Sequence, residues 1–327
     1  MSEITFSEAI NKALSELFTE NDDVFLMGED IGVYGGAFGV TRGLLEKHGP
    51  VKLMETPISE AGFTGVAVGA ALMGSRPIVE IMFMDFITLC VDQLVNQAAK
   101  IRYLKLGEHG CPLVVRVVSG GGRGYGPTHS QNLEAFFTHT PGLCVYAPST
   151  VQDAYLMLKQ AVYLDDPVVF LEHKLLYKTK GSIKEAGVKA LPKKIVPKLV
   201  QEGEDLTIVS YSYMTVEVLK AAKALEENDV SVEVIDLRCL SPLDDSLIIE
   251  SVEKTGRVII VAEDNQSGGI ASEISARIAE KALDYLDAPI KRVCAPDCPI
   301  PASAPLEKAA LPYWKDICEA AQEVLSE

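Results

Sequence analysis

Two residues in this sequence combine the type and the setting of acid and base catalysts. Glu60 opens a stretch that Pro57 and Ser59 introduce as they would the start of a helix. His129 follows a segment with five glycines in seven residues, 120–126, a loop able to approach a ligand closely or to move over it. Carboxyl and imidazole groups move protons in reactions, and histidine ionises near neutral pH. Glu60 and His129 are therefore candidate catalytic residues, with an ordinary structural or surface role as the alternative for each.

The helix predicted to follow Glu60 has one face without side chains. Glycines at positions 62, 65 and 69 fall on it, although each glycine inside a helix costs about 1 kcal/mol relative to alanine. This spacing predicts that another structure packs very close to the helix backbone. A first-turn carboxylate that only complements the helix dipole, a contribution of about 0.3–1 kcal/mol, needs no such face.

Apolar runs and helical patterns alternate along the first half of the chain. Strands are predicted at Val24 to Met27, Pro77 to Phe83 and Leu113 to Val118, and helices at residues 5–20 and from Asp85 to about Leu104. Strands this uniformly apolar are typical of a parallel sheet covered on both faces. Glu29 follows the first strand, and open α/β sheets place ligands at that end of their strands.

The alternation resumes after a segment rich in lysine, proline and glycine. We predict an α/β fold with a doubly wound parallel sheet in a domain over residues 1–185, a linker over 186–203, and a smaller α/β domain over 204–327. A chain of 327 residues is longer than one ordinary domain, which agrees with this division.

Composition argues against several classes of protein. The sequence has 30 basic and 46 acidic residues, a net charge of −16, which disfavours binding to nucleic acid or anionic membranes. No apolar run reaches the roughly 20 residues that span a bilayer, and the N-terminus is acidic, so we expect a soluble intracellular protein. Seven scattered cysteines, an odd number, predict thiols that are mostly buried rather than a disulfide framework.

Several short motifs give the chain a family resemblance over nearly its whole length. They are Gly28-Glu29-Asp30, Thr56-Pro57-Ile58-Ser59-Glu60, Met84-Asp85-Phe86, His129-Ser130-Gln131, Asp166-Pro167-Val168 and Leu286-Asp287-Ala288-Pro289. With these motifs the chain resembles the β subunit of the E1 component of 2-oxo acid dehydrogenase complexes, a family that includes pyruvate, branched-chain and acetoin enzymes and depends on thiamine diphosphate (ThDP). The resemblance implies a ThDP pyrimidine-binding domain followed by a smaller domain like the transketolase C-terminal domain.

The resemblance also implies a role for each candidate residue. Glu60 would bond N1′ of the aminopyrimidine, in a water-poor cleft where a carboxyl group can hold a proton near pH 7 and where another subunit presses on the glycine face. Phe86 would pack against the pyrimidine, with plain core packing as its alternative. Glu29 would belong to a proton-linked path between two active centres, with a solvated strand-end carboxylate as its alternative. His129 would help bind the 2-oxo acid and serve acyl transfer to a lipoyl arm.

Metal ions and partners follow from the same resemblance. Potassium would bind main-chain carbonyls at the positions of Leu113, Ala161, Val162, Leu164 and Asp166. The Mg²⁺ of ThDP is usually held in this superfamily by Gly-Asp-Gly and a later Asn, and no Gly-Asp-Gly occurs here. An α subunit is therefore expected to supply the other half of the site, in an α2β2 heterotetramer. The smaller domain would help pair β subunits and offer an acidic docking surface to the lipoyl-bearing E2 acyltransferase, which agrees with the net charge.

The predicted function is that of an oxidoreductase acting on 2-oxo acids. With its α subunit the chain would decarboxylate a 2-oxo acid oxidatively, pyruvate first, and acylate lipoyl-E2. Acetoin and branched-chain 2-oxo acids are alternative substrates, and a noncatalytic scaffold subunit of the same fold is a further alternative. A nucleotide-dependent oxidoreductase is disfavoured because G-x-G-x-x-G and P-loop patterns are missing from the sequence. The expected location is the cytoplasm, or an organelle matrix after removal of a targeting peptide.

Overall fold

The computed structural model describes residues 3–327, which form two compact units. The first unit comprises residues 3–119 and 136–195, and the second comprises residues 120–135 and 196–327. The predicted ranges differ from this division, because they placed 120–135 in the first domain. That segment is a glycine-rich loop without apolar periodicity, so nothing local in the sequence indicates which core it packs on.

The first unit is built on a parallel sheet. Its strands are β1 (Ile4–Thr5), β2 (Val24–Gly28), β3 (Leu53–Glu55), β4 (Arg76–Ile81), β5 (Val114–Ser119), β6 (Cys144–Tyr146), β7 (Val168–His173) and β8 (Lys180–Gly181). Six of them run parallel in the order β6-β7-β5-β4-β2-β3, while β1 and β8 form a separate antiparallel ribbon. The chain passes outward from β2 to β3 and then crosses back to β4. The carboxyl ends of β2 and β4 therefore flank a switch point, where open α/β sheets bind their ligands.

Helices connect and cover these strands. They are α1 (Phe6–Glu20), α2 (Leu44–His48), α3 (Glu60–Leu72), α4 (Ile101–Leu104), α5 (Ala135–Thr138) and α6 (Val151–Tyr163). A capping box starts α1, in which Thr5 Oγ1 accepts from Glu8 N at 3.2 Å and the Glu8 carboxylate accepts from Thr5 N at 2.6 Å. Helix α1 packs on α6, whereas α3 packs on β4 and on the short helical segments that follow it.

The long helix predicted from Asp85 to about Leu104 is a series of shorter segments. Met84–Cys90 and Ala98–Lys100 are 3₁₀-helical, Asp92–Gln97 is a π-helix, and Ile101–Leu104 is the α-helical part. The prediction was right that this region is helical and wrong that it is one regular helix. Apolar spacing does not report which carbonyl each N–H bonds, and departures of this kind are frequent at functional sites.

The second unit has its own sheet and helices. Its strands are β9 (Lys198–Gln201), β10 (Leu206–Ser210), β11 (Val232–Asp236), β12 (Cys239–Ser241), β13 (Val258–Asn265) and β14 (Lys291–Ala295). Its helices are α7 (Ser212–Glu226), α8 (Ser246–Thr255), α9 (Ile270–Lys281), α10 (Ala304–Ala310) and α11 (Trp314–Ser326). Five strands follow the order β14-β13-β10-β11-β9, and β9 is the antiparallel edge. The predicted linker therefore ends earlier than residue 203, because β9 is already part of this sheet.

Two further features bear on the sequence predictions. Among residues 3–327, none of the helices combines the length and the apolar character that crossing a bilayer requires. No disulfide joins the seven cysteines of the described chain, as predicted. Three of them are fully buried, three are partly buried and Cys298 is exposed, so burial of the thiols is less complete than expected.

Candidate active site

The turn after β2 holds Glu29 in a fixed backbone position. A Cβ on Gly28 would lie 2.8 Å from the main-chain oxygen of Glu80, so only glycine fits there. Asp30 has a φ of +53°, and its carbonyl accepts a hydrogen bond from Gly36 N at 2.8 Å. Non-glycine residues with this backbone conformation are uncommon and cluster at functional turns. The chain therefore bends away from the sheet at Glu29, at the switch point.

Glu29 and Glu60 are both buried and lie close enough for their charges to interact. Glu29 is 7% exposed and Glu60 is 8% exposed. Burial raises the pKa of Glu29 above its usual value, the charges of Glu60 and Asp30 raise it further, and a hydrogen bond from the Ser59 backbone opposes them. The burial of Glu29 therefore argues against the alternative interpretation, in which Glu29 is an ordinary solvated carboxylate at a strand end.

The buried carboxyl group of Glu29 also has spare capacity for a ligand. Its Oε1 atom has no hydrogen-bond partner within residues 3–327. Buried polar atoms are nearly always paired, so an orphaned oxygen needs an explanation such as a bound group or a shared proton. A pair of buried carboxyl groups beside a switch point fits a ligand with hydrogen-bond donors, and the aminopyrimidine of ThDP is such a ligand.

The glycine face of α3 is open at Gly65 and Gly69 among the described residues. A Cβ added at Gly69 would meet no atom within 4 Å, and one at Gly65 would meet only a methylene carbon at 3.7 Å. Val66 on the same face is 60% exposed, whereas Phe63 on the opposite face is buried. At Gly65 and Gly69, residues 3–327 supply no close neighbour, whereas a Cβ at Gly62 would lie 2.5 Å from Ser59 Oγ. A neighbour from another subunit remains a prediction. Glu60 thus starts a helix whose glycine face is uncovered at Gly65 and Gly69 in the part of the chain that the structure describes.

Phe86 lies in the same unit as the two glutamates. It is partly buried in the Met84–Cys90 segment, and its ring meets the Phe83 ring edge to face at a centroid distance of 6.1 Å. Complete burial of Phe86 would have supported the alternative interpretation, which is plain packing in the core. The role of Phe86 in packing against a pyrimidine remains a prediction.

A buried ion network that the sequence analysis missed lies on the strands next to this site. Arg116 on β5 donates to Glu80 on β4 at 2.5 Å and to both oxygens of Glu172 on β7 at 2.6 and 2.8 Å. The hydroxyl of Tyr177 donates to Glu172 at 2.8 Å. Glu80 lies opposite Gly28 in the sheet register. The network therefore holds Glu80 on β4, whose main-chain oxygen leaves no room for a side chain at Gly28, directly before Glu29. An arginine in an otherwise apolar strand was the signal of this network in the sequence.

His129 lies in the second unit. It is partly buried, its N–H donates to the Gly126 carbonyl at 3.3 Å, and its Nδ1 is 3.0 Å from Thr128 Oγ1. The structure therefore places Glu29, Glu60 and Phe86 in one unit and His129 in the other.

The proposed potassium ligands lie near the amino ends of the strands of the first sheet, whereas Glu29 follows the carboxyl end of β2. They are the carbonyls of Leu113, Ala161, Val162, Leu164 and Asp166, close to the amino ends of β5 and β7. The oxygens of Val162 and Leu164 accept from the same Arg76 nitrogen, at 2.9 and 3.2 Å. Two of the five carbonyls thus turn towards one cationic group. Each carbonyl has a second lone pair, so this arrangement is compatible with an ion but does not need one.

A buried acidic cluster lies close to the histidine in sequence. Glu134 is 1% exposed; its Oε1 accepts from the Tyr211 hydroxyl at 2.6 Å, and its Oε2 has no partner within residues 3–327. Burial and then the charge of Asp264 raise the pKa of Glu134 from 4.5 to about 8. Burial likewise raises the pKa of Asp264 from 3.8 to about 6. The raised pKa of Glu134 favours its protonated form at neutral pH.

Glu134→Gln is expected to make stability less dependent on pH. The unfolded chain loses the Glu134 proton near pH 4.5 and the folded chain near pH 8, so stability falls as pH rises between these values, by at most about 1.4 kcal/mol per pH unit. Glutamine keeps an oxygen for Tyr211 and does not ionise. Thermal melting from pH 5 to 8.5 should show the variant more stable than the wild type at the alkaline end. Parallel curves for the two proteins would show that Glu134 is not the group responsible, and the exposed Glu227→Gln variant controls for charge alone.

Comparison with known proteins gives matches for both units. Residues 2–180 match the family described as "Transketolase, pyrimidine binding domain", and residues 197–317 match "Transketolase, C-terminal domain". A solved structure titled "Split gene transketolase, inactive beta4 tetramer" has the same fold, with a TM-score of 0.80, 24% identity and 99% coverage of both chains. The fold is therefore the two-domain arrangement of the transketolase class.

Individual relatives are similar over nearly the whole chain. Pyruvate dehydrogenase E1 component subunit beta-1, mitochondrial, of Arabidopsis thaliana is 43% identical over 98% of this chain and 89% of its own length. Acetoin:2,6-dichlorophenolindophenol oxidoreductase subunit beta of Cupriavidus necator is 42% identical over 97% and 96%. 2-oxoisovalerate dehydrogenase subunit beta of Bacillus subtilis is 43% identical over 100% of both chains. This chain belongs to the family of E1 β subunits of 2-oxo acid dehydrogenase complexes, as its motifs predicted.

Proposed function

We propose that this chain is the β subunit of a ThDP-dependent E1 enzyme that decarboxylates a 2-oxo acid oxidatively and acylates the lipoyl group of an E2 acyltransferase. Pyruvate is the first candidate substrate. Family membership supports the class of reaction. The observation that supports the location of the active site is the buried pair of Glu29 and Glu60 at the switch point. Relatives named for pyruvate, acetoin and 2-oxoisovalerate are 42–43% identical to this chain, so identity alone does not choose among the three substrates.

The residues of this chain would prepare one half of the cofactor site. Bound ThDP supplies a nucleophilic carbon and an electron sink for decarboxylation. Glu60 would hold a proton at N1′ of the aminopyrimidine, and the neighbouring carboxyl group of Glu29 would share in that proton balance. Phe86 would support the ring, and His129 would transfer a proton during acyl transfer. Proton transfer by a buried carboxyl group needs exclusion of water, which a subunit placed on the open glycine face of α3 would provide.

The α subunit is the proposed occupant of that glycine face and the proposed holder of Mg²⁺. Within residues 3–327, no group of three or more His, Cys, Asp or Glu side chains is arranged to bind a metal ion. We propose an α2β2 heterotetramer, located in the cytoplasm or in an organelle matrix.

Potassium binding at the carbonyls near Arg76 remains part of the proposal. A higher melting temperature in KCl than in NaCl at equal ionic strength would support it, and equal melting temperatures would remove it.

Reconstitution with an α subunit tests the proposed function. The chain would be assayed alone and assembled with an E1 α subunit in ThDP and Mg²⁺, with an artificial electron acceptor and with pyruvate, branched-chain 2-oxo acids or acetoin. We expect turnover only in the mixture, fastest with pyruvate. A faster rate with acetoin or a branched-chain acid would change the substrate. No turnover by a properly assembled mixture would favour the noncatalytic scaffold.

A further inference from the structure

The loop that carries His129 is closed by one carboxylate of the second unit. Gly121 N donates to Glu263 Oε1 at 2.7 Å, and Asn132 Nδ2 donates to the same oxygen at 3.1 Å. Glu263, on β13, is 6% exposed. A single buried oxygen thus joins the start and the end of residues 121–132, which we call the histidine loop.

A second carboxylate holds the glycine-rich part of the histidine loop. Gly122 N donates to Glu307 Oε1 at 2.9 Å, and Gly124 N donates to Glu307 Oε2 at 2.8 Å. Glu307, on α10, is 4% exposed. A Cβ at Gly121 would lie 2.7 Å from a Leu311 methyl carbon, so a larger residue there would require the Leu311 side chain to shift. Three backbone amides of a loop that the sequence analysis described as able to approach a ligand or move over it are bound to carboxylates of the same unit.

We infer that Glu263 and Glu307 are positioning residues for His129, an inference that rests on the role proposed for that histidine. Five glycines in seven residues give an unanchored loop a large conformational freedom, and a displaced imidazole transfers protons poorly. Charged acceptors make strong hydrogen bonds to backbone N–H groups. Three such bonds lie before His129, and a bond from the Asn132 side chain lies after it, so the loop is held on both sides of the imidazole.

Glu307→Gln is the variant that tests this inference. The isosteric amide can accept from one of the two glycine N–H groups but presents an NH₂ donor to the other. In the α/β complex with a lipoyl domain, we expect acylation to fall by about tenfold or more, with assembly unchanged. The exposed Glu227→Gln, which removes the same charge from the same unit, should leave the rate unchanged.

A double-mutant cycle separates positioning from a general loss of structure. If Glu307 acts through His129, Glu307→Gln should cause no further loss in a His129→Ala background. The same fold-loss in both backgrounds would overturn the inference.

A chemical readout on the purified chain does not depend on the proposed function. Diethyl pyrocarbonate modifies histidines, and mass spectrometry can compare its rate at His129 with its rate at the exposed His109. We expect the rate at His129 to rise at least about threefold in Glu307→Gln, because a loop with weaker hydrogen bonds to residue 307 opens more often. Amide exchange of residues 121–124 should also accelerate. If the wild-type complex shows no turnover, the proposed function fails, and these two rates still decide whether Glu307 fixes His129. Unchanged rates in the variant would overturn the inference.

Discussion

Glu60→Gln is expected to lower turnover of the assembled enzyme by about 10²- to 10⁴-fold, the range in which a positioned acid or base contributes to catalysis. Glutamine has nearly the same shape and can occupy the first turn of α3, but it cannot hold and release a proton as a carboxyl group does. Because the residue is 8% exposed, water cannot easily take over its role. The measurement is the rate with an artificial acceptor at saturating ThDP, Mg²⁺ and substrate.

Assembly provides the control for this experiment. Size-exclusion chromatography should show the same complex for Glu60→Gln and wild type, since the substitution leaves the glycine face of α3 intact. Glu46→Gln, on the surface of α2, removes an equal charge from an exposed position and should retain full activity. Wild-type-like turnover in Glu60→Gln would exclude the assigned role and would leave Glu60 as an ordinary first-turn carboxylate.

Much of the secondary structure could be predicted because buried parallel strands leave a simple pattern. The apolar runs at Val24 to Met27 and Leu113 to Val118 correspond to β2 and β5 within about one residue, since both faces of such strands are covered. Short or half-buried elements lack that pattern. Strand β3 has three residues, and the helix α11 (Trp314–Ser326) was not predicted at all.

The proximity of Glu29 and Glu60 illustrates what local patterns cannot provide. Each residue is recognisable alone, one at the end of a strand and one at the start of a helix. Whether the two residues lie close together depends on strand order, because α3 leads from the edge strand β3 back to β4 on the far side of β2. Resemblance to a family supplied this pairing, whereas periodicity could not have done so.

Long-range polar contacts were the least predictable part of the site. Arg116 meets Glu80 and Glu172 only because three strands align in register. Glu307 reaches the glycine loop from the far end of the chain, and nothing in its own surroundings distinguishes it from other glutamates on short helices. A glycine-rich sequence shows that a backbone approaches something closely, but not what that partner is.

His129→Ala is expected to impair acyl transfer more than any other step. Loss of a general acid or base should lower the rate of lipoyl acylation by about 10²- to 10⁴-fold, whereas the rate with an artificial acceptor should fall less, because that assay bypasses transfer to the lipoyl group. The substitution is not expected to disturb the fold, since the bonds from Glu263 and Glu307 to the backbone amides of the loop and to Asn132 remain in the variant. The two rates should be measured on the same preparation of assembled enzyme.

The ratio of these two rates distinguishes a catalytic histidine from a structural one. A structural histidine would lower both rates together and would weaken tetramer formation, whereas a proton-transferring histidine changes their ratio and leaves assembly intact. His109→Ala, an exposed histidine of the first unit, should change neither rate. Unchanged turnover with lipoyl-E2 in His129→Ala would show that the assignment is wrong. Another group would then have to transfer the proton, and the hydrogen bonds that hold the histidine loop would need a different explanation.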